Sequence, residues 1–270
     1  MANKAFPIFV TIPHSGEQVP DQCTWLQGLP EPLLMCDVDR YVDLLYEPAI
    51  QKLAWPLVKT KWHRYAADLN RFPEDVDAGS VEGNQNPKGQ FARGFHWQMT
   101  TKKETLMSEP MTKAVHDQLV QLVHTPFHAD IQKLIQEFRQ TSGAPIFHLD
   151  LHSMPSLGTS EHRDPGETRA DIVVSDCSQK SSRSDFVDLV ITSYVRAGFK
   201  VAYNWPYLGG RVSEQYGQPS LGHHTVQVEL SRKLYMDEVT KKLEPRHQDL
   251  KPRLQKALEN IAAGLPKLLS

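Results

Sequence analysis

No run of roughly 18 unbroken apolar residues occurs in the 270-residue chain, which excludes an ordinary membrane-spanning helix. Cysteine is scarce: Cys23, Cys36 and Cys177 are an odd number, widely spaced and without a CxxC pair. That usage argues against a disulfide framework or a cysteine-based zinc site and suits a reducing cytosol. Neither sign of charge dominates, with 30 Lys+Arg against 32 Asp+Glu, a formal net charge of -2. Such a balance gives no electrostatic case for nucleic acid or an anionic membrane surface as partner. The opening residues, Met-Ala-Asn-Lys-Ala-Phe-Pro, lack the apolar stretch of a signal peptide, so a cytoplasmic location is expected. Internal repeats, low-complexity tracts and a linker between halves are all missing, and the expectation is one domain over residues 1–270.

What is present is alternation. Apolar runs at 7–12, 56–60, 65–69, 145–151, 172–174, 200–203 and 225–230 read as strands. Helical spacing covers 37–54 (with Pro48 as a kink or break), two segments within 101–141 broken near Thr125-Pro126, 185–197, and most of 236–267 with a break at Pro252. Residues 71–96, rich in Gly and Pro, read as a long loop, a feature that in compact domains is usually functional or disordered. Strands alternating with helices predict an α/β fold, with helices on both faces of a mixed central sheet. Sites in such sheets lie at the carboxyl ends of strands.

Four segments there could carry chemistry. His14-Ser15-Gly16-Glu17 follows the first strand; an imidazole and a carboxylate three residues apart converge on a metal if the chain turns locally. The bland alternative is a surface histidine beside an unrelated glutamate. His148, Asp150 and His152 share one face of a strand, opposite Phe147, Leu149 and Leu151. Three polar groups on one strand face need partners; a metal would satisfy one or two, with Asp150 orienting a ligand, or the set is a buried His–Asp pair. Asp68-Leu69-Asn70-Arg71, with Arg64 before it, offers guanidinium groups suited to a carboxylate or an oxyanion, or else arginines that close a turn. Gln227 and Glu229 share a strand face; a glutamate there is paired, raised in pKa as a general base, or solvated on an edge strand. Two histidines and a carboxylate around zinc, with a free glutamate and arginines, form a minimal kit for metal-assisted amide hydrolysis. His223-His224 points to opposite faces, so at most one could face a site, and both read as structural or as support behind a ligand.

The runs Pro13-His14-Ser15-Gly16-Glu17, Asp68-Leu69-Asn70-Arg71, Asp150-Leu151-His152-Ser153, Asn204-Trp205-Pro206-Tyr207-Leu208-Gly209-Gly210 and Gln227 to Met236 keep their order over most of the chain. In them the sequence resembles the N-formylglutamate amidohydrolase family. The resemblance implies a phosphorylase/hydrolase-like, zinc carboxypeptidase-like α/β/α fold and one Zn2+ per chain, held by His14, Glu17 and His152. It further implies Glu229 as the catalytic glutamate, Arg64 near the oxyanion, and Asn70 with Arg71 on a substrate carboxylate. Arg211, after the Gly-Gly turn, is a further carboxylate candidate by its chemistry. The implied substrate is a small N-acyl amino acid with a free carboxylate, foremost N-formyl-L-glutamate from histidine breakdown. The competing readings are a carboxypeptidase or amidase on larger peptides, and a non-catalytic binding protein for amino-acid derivatives.

Overall fold

Strand β1 (Ile8–Ile12) is followed by β2 (Leu57–Lys59), β3 (Ile146–Met154), β4 (Ile172–Ser175), β5 (Val201–Tyr203) and β6 (His223–Ser231). The structure is a computed structural model and describes residues 6–77, 79–84, 93–143 and 145–269. The six strands form one mixed sheet in the order β2-β1-β3-β6-β4-β5. Neighbours are parallel except β4, which runs antiparallel to β6. Consequently β1, β3 and β6 deliver their carboxyl ends to the same edge. Register sets His152 directly beside Glu229, and Thr11 beside Asp150.

The period-2 pattern assigns the faces. Ile8, Val10, Ile12, Phe147, Leu149, Leu151, Val226, Val228 and Leu230 point to one side and form a core with three helices. Full burial of each such side chain stabilises by about 1.5–3 kcal/mol. After the short α1 (Glu31–Leu34) come α2 (Val42–Lys52), α3 (Lys113–Leu119), α4 (Thr125–Ser142), α5 (Ser184–Arg196), α6 (Arg211–Tyr216) and α7 (His247–Gly264). Helices α2, α5 and α7 cover that first face, while α3 and α4 pack on the second with Phe9 and Ile146. This is the expected α/β layering.

Some local readings differ. Residues 65–69 form turns rather than a strand, because the Asp68 and Tyr65 side chains are committed to partners elsewhere. The two helices expected within 101–141 are α3 and α4, and α4 begins at Thr125 as the proline suggests, but no gap separates them. A π-helical turn at Val120–His124 precedes α4, and Thr125 N–H bonds Val120 O, so Pro126 falls in the first turn of α4, where its missing N–H costs nothing. Helix α7 starts at His247 rather than near 236, and it passes through Pro252 without a break. The described part of 71–96 is irregular, as expected; residues 78 and 85–92 lie outside the described residues. No helix among the described residues is long and apolar enough to cross a membrane.

Gly16 illustrates how local sequence serves the site. A Cβ there would collide with the Lys61 and Trp62 backbone, so glycine permits the chain after β1 to lie against that segment. Gly210 does the same beside the Asn70 amide, whose Oδ1 accepts the Val212 N–H at 2.8 Å and so caps α6.

Candidate active site

Two imidazoles and one carboxylate meet at the carboxyl edge of the sheet. His14 stands two residues past β1, His152 lies near the end of β3, and Asp39 arrives from the segment before α2. One potential ligand atom from each lies within 4.8 Å of the others, and all three residues are buried. Asp39 Oδ2 is 3.0 Å from His152 Nδ1 and 3.6 Å from His14 Nδ1.

The opposite nitrogen of each ring is held by its own buried carboxylate. His14 Nε2 donates to Asp68 Oδ1 at 2.7 Å, and His152 Nε2 donates to Asp150 Oδ2 at 2.8 Å. Because those carboxylates only accept, the network places the Nε2 hydrogens there and turns both Nδ1 atoms toward Asp39. Carboxylate-backed histidines facing one carboxylate oxygen are the usual donor set for a zinc-like divalent ion, with the outer acids fixing each ring. The donor chemistry therefore fits a metal. Asp39 carries its own support: Oδ1 accepts from Arg232 Nη2 at 3.0 Å and from Ser153 Oγ at 3.3 Å. Burial would raise the Asp39 carboxyl, but the two histidines and nearby cations hold it well below the usual carboxylate range.

A cavity of about 270 Å3 opens over this group and is lined also by Glu229, Arg64, Asn70, Arg71 and Tyr207. Glu229 is buried, and Gln227 Nε2 donates to its Oε1 at 2.8 Å. Burial pushes its carboxyl up, against the opposing pull of His152. Arg64 donates to Asp68 Oδ2 (3.0 Å) and to Asp37 O (2.8 Å), with its guanidinium 4.7 Å from the Trp97 ring centre. Arg71 donates to the Arg93 and Asn70 carbonyls, and burial together with Arg64 and Arg211 lowers its pKa despite Asp68. An anion entering the cavity would relieve that crowding of cations.

Of the residues expected from sequence, His14, His152, Glu229, Arg64, Asn70 and Arg71 share this cavity, whereas Glu17 and Arg211 do not line it. Glu17 turns away from the histidines, and its carboxylate engages Arg40 at 2.8 Å and 3.2 Å. The chain after His14 runs off alongside Lys61, with Gln18 N–H bonded to Lys61 O, and this carries Glu17 to the other side of the motif. Arg211 pairs with Asp75 (3.3 Å) and Glu214 (3.0 Å) over the Phe72 ring. Two acids of this arrangement are not among the residues expected from sequence. Asp39 sits in Asp37-Val38-Asp39-Arg40, where a pair of acids ahead of an amphipathic helix was the available signal. Asp68 was visible in its motif, but its role as the acid behind His14 needed the fold. As expected, His223 and His224 diverge, the first meeting Arg139 and the second the Arg183 backbone.

Known proteins resemble this chain in sequence and in fold. The profile described as N-formylglutamate amidohydrolase matches residues 6–236. A Pseudomonas aeruginosa protein named N-formylglutamate deformylase is 24% identical over 235 residues, covering 86% of this chain and 83% of the relative. A protein of the same name from Pseudomonas putida is 23% identical over 251 residues, with 86% and 82% covered. The crystal structure of N-formylglutamate amidohydrolase from Ralstonia eutropha JMP134 superposes with a TM-score of 0.86 at 26% identity, covering 98% of this chain and 96% of that one. A gene product of Agrobacterium tumefaciens shares the fold, with a TM-score of 0.69 at 16% identity over 96% and 92% of the two chains. The chain belongs to the N-formylglutamate amidohydrolase family.

Proposed function

We propose that this protein is a metal-dependent amidohydrolase that cleaves N-formyl-L-glutamate to formate and L-glutamate in the cytoplasm. The observation that carries the reading is the convergence of His14 Nδ1, His152 Nδ1 and Asp39 on one point beside the buried Glu229. Family membership and the names of its relatives supply the substrate. In this reading His14, Asp39 and His152 hold one Zn2+ per chain, and Asp39 takes the place that the HxxE spacing suggested for Glu17. A cavity of about 270 Å3 favours a small substrate over a long peptide.

When bound, a divalent ion supplies Lewis acidity that lowers the pKa of water and polarises a carbonyl. The protein's own groups do the rest. Glu229, raised by burial, accepts the proton of the attacking water. Water oxygen bonds to the formyl carbon, and the carbonyl π pair moves onto its oxygen. Arg64, held rigid by Asp68 and Trp97, supplies positive charge near that oxygen. The C–N bond then breaks as Glu229 returns the proton to the leaving nitrogen, giving formate and the free amine. Arg71, with the Asn70 loop behind it, anchors a substrate carboxylate and fixes the approach. Arg211, paired outside the cavity, supports the Asp75–Glu214 region instead.

The test is a substrate screen on metal-reconstituted and chelated protein, using N-formyl, N-formimino and N-acetyl glutamate and glutamyl dipeptides. Metal-dependent formate release from N-formyl-L-glutamate above the other rates supports the reading. A preference for dipeptides, or binding without turnover, refutes it.

A further inference from the structure

The segment that presents Asp39 has no regular secondary structure of its own, and it ends in strain. Tyr41 adopts φ 70°, left-handed backbone that is costly for a bulky residue and persists only where surroundings over-determine it. The Tyr41 ring packs on the core and its hydroxyl reaches the Lys241 carbonyl at 3.4 Å, while the polar ties around it run through one guanidinium. Arg40 forks onto Glu17, with Nε to Oε1 at 2.8 Å and Nη2 to Oε2 at 3.2 Å. Its Nη1 meets Glu31 at 2.7 Å and the Lys241 carbonyl at 2.9 Å, and the guanidinium lies 4.9 Å from the Tyr41 ring centre. On the same seam Asp39 N–H donates to His14 O at 2.9 Å. Residues shortly after His14 and Asp39 are thus tied together, three positions past the histidine and one past the aspartate.

We propose that the Glu17–Arg40 pair is a positioning device for Asp39 that sets metal affinity without touching the metal. The inference rests on His14, Asp39 and His152 being the ligands. Arg40 fixes the direction in which the chain leaves Asp39, and Glu17 fixes Arg40 through two parallel bonds that a single point charge would not reproduce. Because Glu17 is 37% exposed, the pair contributes little to folding. Its effect concentrates on where Asp39 Oδ2 lies relative to the two Nδ1 atoms.

The experiment is a competitive titration of Zn2+, with Co2+ absorption as a report on the ligand set, on full-length wild type, Glu17→Gln, Arg40→Ala and the double variant. Each single change is expected to weaken Zn2+ binding by about 10- to 100-fold, as losses of outer partners do. The double variant should be no weaker than the worse single one, because the two side chains act as a unit. The Co2+ band shape and the thermal midpoint of the metal-free protein should stay near wild type. Arg40→Lys, which keeps charge but gives up the fork, should fall between and carries the test if Arg40→Ala does not fold. Wild-type affinity in Arg40→Ala or Arg40→Lys overturns the proposal. So does a changed Co2+ spectrum in Glu17→Gln alone, which would make Glu17 a ligand. A wild-type protein that binds neither ion overturns the ligand reading itself, a result visible before any variant is made.

Discussion

Asp68 grips His14 from the side away from Asp39, with its Oδ1 2.7 Å from Nε2. The same carboxylate holds Arg64 through Oδ2 and accepts the Trp97 indole N–H at 2.9 Å. Burial opposes its charge, yet His14 and Arg64 keep it well below the usual carboxylate range. Removing that charge takes from Arg64 its directly bonded carboxylate and leaves it only the more distant Asp39 and Asp37, a change that costs somewhat less than the roughly 3–5 kcal/mol of a fully unpaired buried charge. Asp68→Asn is therefore expected to lower thermal stability and to weaken metal binding by about 10- to 100-fold. Calorimetric melting of metal-free protein and a chelator competition measure the two effects separately, and an unchanged melting point with unchanged affinity would contradict both.

Asp39 is the carboxylate proposed to complete the metal site. Asp39→Ala removes the carboxylate that both Nδ1 atoms face, so the purified variant should hold well under one metal per chain. Elemental analysis after dialysis against a weak chelator reads this out. Full occupancy in Asp39→Ala would return the ligand role to another acid.

The two substrate-side arginines should behave differently. Arg71→Met removes a cavity guanidinium and is expected to raise KM for N-formyl-L-glutamate by about 10- to 100-fold, the loss of one charge-assisted contact of about 1.5–3 kcal/mol. Arg211→Met, whose charge is spent on Asp75 and Glu214, should leave KM within about threefold. Steady-state kinetics of the pair checks this, and a larger KM effect at position 211 would place that arginine on the substrate.

Four buried histidines make the protein acid-sensitive above the carboxylate range, opposed by His152 alone, which burial would lower but its carboxylate partners raise. Burial lowers His63 to about 4, His96 to about 3, His128 to about 3 and His148 to about 4. In the unfolded chain these groups take up protons near 6.5, so below that pH the unfolded state binds more protons than the folded one. The stability they contribute is complete above about 6.5 and is lost as pH falls toward their folded values. For His63 alone the difference amounts to roughly 3 kcal/mol. Denaturant midpoints should fall steadily between pH 6.5 and pH 4.5, and a flat profile there would contradict the assignment.

Much of this molecule is legible in its sequence, for definite reasons. Strand periodicity puts His148, Asp150 and His152 on one face and Glu229 on another strand, and parallel register then brings His152 beside Glu229. The alternation of elements likewise gives the layered fold. Asp39 is less visible because nothing within four residues of it supplies a second ligand; its partners come from positions 14 and 152, and only the parallel pairing of β1 with β3 and the return of the segment before α2 join them. Glu17 shows the converse case. Spacing of three residues suits a shared metal only if the chain curls back, and here it extends along Lys61 toward Arg40. The expected division near Thr125-Pro126 matches the start of α4, whereas the break expected at Pro252 does not occur, because packing of α7 offsets the hydrogen bond that proline removes.

The most direct test replaces Glu229 with Gln and follows formate release from N-formyl-L-glutamate alongside metal content. The account predicts metal retained at one per chain, and a turnover loss of about 10²- to 10⁴-fold. In the wild type the acid limb of the rate should fall above the ordinary glutamate value of 4.5, since burial raises Glu229 and its protonated form cannot accept a proton. A Glu229→Gln protein that turns over at the wild-type rate would remove this residue from the chemistry and contradict the account.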